Sequence, residues 1–278
     1  MRSRPFAQVD VFTATPYLGN PVAVVLDGQG ITDQEMAGFA RWTNLSETTF
    51  VLPATHPDAD YRLRIFTPGG ELAFAGHPTL GSAHAWLGTG AVPRGGGAIV
   101  QECGIGLVHL RQDGDRLAFI APPLLRSGPV TPEIRDQVAR SLRLPADAIG
   151  GCEWIDNGVP WVGAMLADAR TVLALDPDLA AMGDLMVGVL GPWGGAHETD
   201  VEVRAFVPAM GIPEDPVTGS LNAGLARWLI PAGILPRHYT VSQGAALGRA
   251  GRVQVDQVGS DIWIGGDTIT CVAGAVTL

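Results

Sequence analysis

The sequence predicts an α+β protein built from two similar halves, and three observations carry that prediction. First, 37 Gly and 21 Pro punctuate the chain into short segments, a spacing suited to many strands and few helices. Second, a diverged internal repeat links the halves. Tyr61-Arg62-Leu63-Arg64-Ile65-Phe66-Thr67-Pro68 returns as Val201-Glu202-Val203-Arg204-Ala205-Phe206-Val207-Pro208, so that Arg64, Phe66 and Pro68 match Arg204, Phe206 and Pro208. Third, each copy leads to a glycine before an apolar helix: Gly76-His77 ahead of Trp86-Leu87, and Gly219-Ser220 ahead of Trp228-Leu229. The path to the glycine is longer in the second copy. Such a repeat suggests a pseudo-two-fold molecule with a cleft between its halves.

Alternating or short apolar runs predict strands over 7–13, 21–26, 48–52, 61–66, 99–102, 107–110 and 117–120 in the first half. Thr32 and Glu35 form a capping box, and Ile31 with Met36 has staple spacing, so a helix is expected from there to about Trp42. In the second half Thr131-Pro132 opens a helix whose face is Ile134, Val138 and Leu142, ending before Pro145. Asp176-Pro177 opens another. Strands are expected over 161–166, 201–206, 239–242, 253–255 and 262–264, with a last one over 272–278. The stretch 122–129 reads as a linker. The domains are therefore 1–121, with the C-terminal strand 268–278 as a candidate to complete it, and 130–267.

Composition narrows function. Only 17% of residues are charged and the formal net charge is −10, which disfavours nucleic acid and anionic membranes as partners. No run approaches the length of a spanning helix, and the N-terminus lacks a signal-peptide core. Cys103, Cys152 and Cys271 are far apart and match no metal or redox spacing, so a reducing compartment, the cytoplasm, is expected.

The two helix starts are the first candidates for chemistry. Gly76-His77-Pro78-Thr79 places Pro at the first helical position, and Gly219-Ser220 places Ser as a cap. Free N–H groups there attract an anion, a carboxylate or a developing enolate, although both starts also read as ordinary caps. Glu47, opening an apolar strand, is either a solvated strand end or a buried carboxyl suited to general acid–base work. Asp215 is either a turn residue before Pro216 or a group that orients His77. Asn20, in Gly19-Asn20-Pro21, is either a turn residue or a ligand. Trp42, Trp154 and Trp161 either pack or line a pocket for a planar ring. Gly95-Gly96-Gly97 follows no strand-to-helix pattern, the histidines have no zinc spacing, and no nucleophile elbow occurs.

Several blocks carry a family resemblance: Val9-Asp10-Val11-Phe12-Thr13, Gly19-Asn20-Pro21, Thr43-Asn44-Leu45-Ser46-Glu47-Thr48, Phe74-Ala75-Gly76-His77-Pro78-Thr79, Gly211 through Ser220, and Gln243-Gly244 with Gly248-Arg249. In this order they resemble the phenazine-biosynthesis PhzF family, of the diaminopimelate-epimerase-like fold, over nearly the whole chain. The resemblance implies two domains, each a curled, mostly antiparallel sheet around a central helix, with the active site between them. It implies a cofactor-free and metal-free isomerase acting on a small carboxylate-bearing substrate, and a homodimer. Glu47 would be the catalytic acid/base, with His77, Asp215 and Ser220 assisting, and Asn20, Gly76 and Gly219 holding substrate. Relatives on this fold that use thiols carry a catalytic pair, typically two cysteines, one beside each helix start. Here those places correspond to Ala75 and Pro216, neither of which exchanges a proton. A thiol-independent epimerase or dehydratase, and a non-catalytic binding protein, are the competing readings.

Overall fold

The computed structural model describes residues 1–114 and 116–278, and its contacts divide the chain into two units: 1–120 with 265–278, and 121–264. The first unit contains β1 (Ser3–Val11), β2 (Asn20–Val25), α1 (Asp33–Thr43), β3 (Glu47–Leu52), β4 (Tyr61–Thr67), β5 (Gly70–Leu72), α2 (Gly76–Gly88), β6 (Ala98–Cys103), β7 (Gly106–Asp113) and β8 (Arg116–Ile120). The second contains β9 (Arg126–Pro129), α3 (Pro132–Ser141), β10 (Cys152–Asp156), β11 (Trp161–Met165), α4 (Ala169–Leu173), α5 (Leu179–Met182), β12 (Met186–Pro192), β13 (Val201–Phe206), β14 (Glu214–Asp215), α6 (Gly219–Leu229), β15 (His238–Gln243) and β16 (Gly251–Val258). The long strand β17 (Asp261–Thr277) runs from the second unit into the first.

In the first unit neighbouring strands pair in the order β17, β1, β2, β3, β4, β6, β7, β8, and β8 pairs back onto β17. The sheet is mostly antiparallel and closes around α2. A helix inside such a ring has no solvent face to present, and residues 76–83 of α2 are all buried. In the second unit the order is β9, β10, β11, β12, β13, β15, β16, with the same alternation of parallel and antiparallel pairs from β10 onward, and α6 packs on β10, β11 and β16.

The repeat extends further than the matched letters. Arg64 reaches Glu71 with two parallel hydrogen bonds of 2.7 and 2.6 Å, and Arg204 reaches Glu214 with two of 3.0 and 2.8 Å. Each guanidinium also lies over the phenylalanine two residues on, 5.0 Å from Phe66 and 4.9 Å from Phe206. Gly81 and Gly224, each the sixth residue of its central helix, also correspond. A Cβ on Gly81 would stand 2.3 Å from Val22 Cγ1, and one on Gly224 would stand 2.7 Å from the carbonyl oxygen of Ile155. Only glycine lets these helices lie so close to their strands.

The α1 capping box forms, with Thr32 Oγ1 accepting from the Glu35 amide and Glu35 accepting from the Thr32 amide. Several expectations need correction. The supposed linker contains β9, whose backbone pairs with β10, because the Pro-rich stretch still exposes enough N–H groups for an edge strand. The strands expected over 262–264 and 272–278 are one continuous strand, since Gly265-Gly266 does not break it. Asp178, not Asp176, caps the helix after Pro177, by accepting from the Ala181 amide. The strands β10 and β12 were not expected at all. Among the described residues no helix is long and apolar enough to cross a membrane.

Candidate active site

In the first unit three predicted residues meet at the start of α2. Glu47 opens β3, Asn20 opens β2, and these strands run parallel, with Val22 beside Glu47. His77 is the second residue of α2 and points its ring back at both. Its Nε2 lies 3.4 Å from Glu47 Oε2, and its Nδ1 lies 3.4 Å from Asn20 Nδ2. All three side chains are buried. Burial pushes the imidazole down to about 3, against a weaker opposing hydrogen bond to the Pro21 carbonyl. The contact with Glu47 is therefore that of a carboxyl with a neutral ring, not an ion pair. The wall behind is polar and satisfied: Thr49 Oγ1 and Ser82 Oγ are 2.8 Å apart, Gln101 donates to Thr79 Oγ1 at 3.0 Å, and Tyr61 donates to Gln101 Oε1 at 3.1 Å.

The second unit carries the corresponding helix start. Asp215, buried at the end of β14, accepts a 2.6 Å hydrogen bond from the Thr218 hydroxyl. The Thr218 amide donates to Gln243 Oε1, 3.1 Å away. Ser220 Oγ accepts from Trp161 Nε1 at 3.0 Å, and the Ser220 carbonyl accepts from Asn157 Nδ2 at 2.8 Å. The Arg204–Glu214 pair fastens β14 from its other end, while a third guanidinium nitrogen donates to the carbonyl of Leu175 at 2.7 Å.

Neither helix starts as expected. The flanking residue of α2 is Ala75, so Gly76 is the first helical residue and Pro78 the third. The flanking residue of α6 is Thr218, so Ser220 lies inside the first turn and does not cap it. Proline is tolerated at a third position because its missing N–H would have had no partner in the helix. The anchors Glu71 and Glu214 each stand five residues before the glycine, so Thr218, and not Pro216, corresponds to Ala75. The extra residues of the second copy fall between β13 and β14, where 208–210 form a single tight turn. Neither Ala75 nor Thr218 is a thiol, and Cys103, Cys152 and Cys271 are all unpaired.

Sequence reasoning missed Thr218 and Asn157 and gave Gln243 no role. The signal for Thr218 was its place before Gly219. For Gln243 it was the Gln243-Gly244 pair, because Gly244 takes a positive φ of 96° that ends β15 beneath the helix start. Of the tryptophans, Trp42 is exposed and stacks on Phe39, Trp154 lies under Arg126, and Trp161 is the buried donor to Ser220.

A curled, mostly antiparallel sheet around a buried helix, built twice on one repeat, is the architecture of the epimerase-like isomerases. Residues 9–274 match the phenazine biosynthesis-like protein family, PhzC-PhzF, and the chain belongs to that family. It is 35% identical to antisense-enhancing sequence 1 of Schizosaccharomyces pombe, over 99% of each chain. It is 34% identical to trans-2,3-dihydro-3-hydroxyanthranilate isomerase of Pseudomonas aeruginosa, over 89% of this chain and 88% of that one. Among solved structures, a PhzF-family protein of Enterococcus faecalis superposes with a TM-score of 0.82 at 25% identity, covering 100% of both chains. The chain is an isomerase of the PhzF type.

Proposed function

We propose that this isomerase moves a proton on a small carboxylate-bearing substrate by general acid–base chemistry at Glu47, without a cofactor. The observation that carries the reading is the 3.4 Å contact between two buried side chains, Glu47 and His77, at the start of a buried helix. A carboxylate placed there takes a proton from a carbon made acidic by conjugation. The electron pair moves along the double bond, and the proton returns at the far end, so no oxidant or reductant is needed. The neutral imidazole spends its one N–H on the Pro21 carbonyl, so its Nε2 faces Glu47 as an acceptor and takes a hydrogen bond from the protonated acid without itself ionising. The N–H groups of Gly76 and His77, at the start of α2, suit the substrate carboxylate, with Asn20 beside them. We assign Asp215, Ser220 and Gly219 to substrate handling in the second unit. The similarity to an enzyme named for a dihydro-hydroxyanthranilate supports an unsaturated ring acid as the substrate class. Three unpaired cysteines support the cytoplasm as the compartment.

The test is a screen of unsaturated carboxylic acids in heavy water, comparing the native chain with Glu47→Gln, which keeps the shape and removes the acid. The expected result is deuterium uptake with a moved double bond, reduced by about 100-fold or more in the variant. Equal turnover by the variant sinks the assignment. Uptake without double-bond movement indicates an epimerase, and thermal stabilisation by a ligand with no product from any acid tested indicates a binding protein.

A further inference from the structure

The second unit contains a side-chain amide whose hydrogen-bonding capacity is fully used. Gln243, the last residue of β15, is 1% exposed. Its Oε1 accepts from the Thr218 amide at 3.1 Å and from Asn222 Nδ2 at 3.0 Å. Its Nε2 donates to Thr218 Oγ1 at 2.9 Å and to the Asp215 carbonyl at 3.2 Å. This orientation cannot be reversed, because a backbone N–H only donates and a carbonyl only accepts. Asn222 is fixed by the same logic, since its Nδ2 also donates to the Thr218 carbonyl at 2.9 Å. The Thr218 hydroxyl thus accepts from Gln243 and has one proton left to give, which goes to Asp215 Oδ2 at 2.6 Å. Hydrogen-bond donation runs one way, from Gln243 through Thr218 to Asp215.

We propose that Gln243 is a positioning residue for Asp215: it sets the direction of the Thr218 hydroxyl and so holds the Asp215 carboxyl as an acceptor in one orientation. The inference rests on the reading of Asp215 as a substrate-handling group. A plain brace between β15 and α6 would need the same packing but not the direction, and a substitution that keeps the shape while reversing the direction separates the two.

That substitution is Gln243→Glu. The introduced carboxyl still accepts from the Thr218 amide and Asn222, which keeps the two bonds to α6, and when ionised gives up the donation to the Asp215 carbonyl. When ionised it has no proton for Thr218 Oγ1, so the hydroxyl turns toward it and Asp215 Oδ2 loses the Thr218 hydrogen bond. When protonated it donates again. With the substrate found by the heavy-water screen, kcat of Gln243→Glu is expected to fall roughly tenfold at pH 8 and to recover as pH drops, a limb absent from the native profile. Gln243→Met fills the space without polar atoms and is expected to lose activity with no such recovery. Thr218→Val removes the hydroxyl, and adding it to Gln243→Glu should abolish the limb.

A second arm needs no substrate. In ¹⁵N-labelled full-length Gln243→Glu, the Thr218 and Gly219 amide resonances should move with pH and return to their native positions at the acid end. Equal, pH-independent losses in Gln243→Glu and Gln243→Met overturn the proposal, as does a limb that survives Thr218→Val. If Gln243→Glu does not fold, Thr218→Val decides, because it keeps the amide bonds of Gln243 to the backbone and Asn222 and removes only the hydroxyl: a roughly tenfold loss of kcat supports the proposal and a native kcat overturns it. If the native chain turns over no acid tested, the proposed function fails, while the resonance titration still decides the role of Gln243.

Discussion

His77 is buried with its ring neutral, and that decides how the protein responds to acid. An unfolded histidine takes up a proton near pH 6.5, while the folded ring, beside Glu47, resists doing so down to about 3. Between those values the unfolded chain binds the extra proton. Stability from this group is therefore full above pH 6.5 and is lost as pH falls toward 3, by at most on the order of 5 kcal/mol. The urea midpoint of the native chain should drop between pH 7 and pH 4, and that of His77→Asn should drop less. A variant as acid-sensitive as the native chain would show that other groups dominate. At this scale the sequence made Glu47, Asn20 and His77 legible as candidates but not as neighbours, because they come from three elements that only the closed sheet brings together. Ser220 was legible as a polar residue at a helix start, but its cap assignment failed. Where a helix begins depends on backbone angles at Thr218 that the letters do not reveal.

The repeated arginine–carboxylate pair makes an element-scale experiment. Arg204 and Glu214 are both buried, whereas Arg64 works with the exposed Asp33 and half-exposed Glu71. Arg204→Leu strands a buried carboxylate and the carbonyls of Val172 and Leu175, and should cost about 3–5 kcal/mol in urea unfolding. Arg64→Leu should cost about 1 kcal/mol or less, because water serves its partners. Equal costs would mean that the two pairs share a role despite their different surroundings. The strands with clean alternation, such as 61–66 and 201–206, were readable from the sequence. Two others were not: β12 is interrupted by Gly188 and Gly191, and β10 is five residues long with Trp154 and Ile155 side by side and both buried, so neither shows the period that marks a strand. The capping box of α1 was readable because it is wholly local.

Across the whole molecule, β17 is the element that the letters described least well. Residues 268–278 carry no charged side chain in a protein of net charge −10, and Val272 is 48% exposed. An uncharged strand on an acidic surface is where a like-charged second copy meets least repulsion. Light scattering is expected to give twice the chain mass of 29.0 kDa, and Val272→Lys to shift the mass toward one chain. A single-chain mass for the native protein at micromolar concentration would remove the homodimer. The two-part organisation was legible because Arg64 and Arg204 survive in equivalent places. The division of β17 between the parts was not, since a strand's partners are set by residues far away in sequence.

That division bears on how the protein is made. Ser3–Val11 pairs with 268–277, with one register shift between Gln8 and Val9, so the first sheet has a gap until those residues exist. During synthesis, residues 121–264 must emerge in between, which takes on the order of ten seconds at ordinary ribosome speeds. Throughout that interval the early half can curl around α2 but cannot close, and β1 keeps one edge unpaired. The half translated second has nearly all its strands in hand before the half translated first can be sealed.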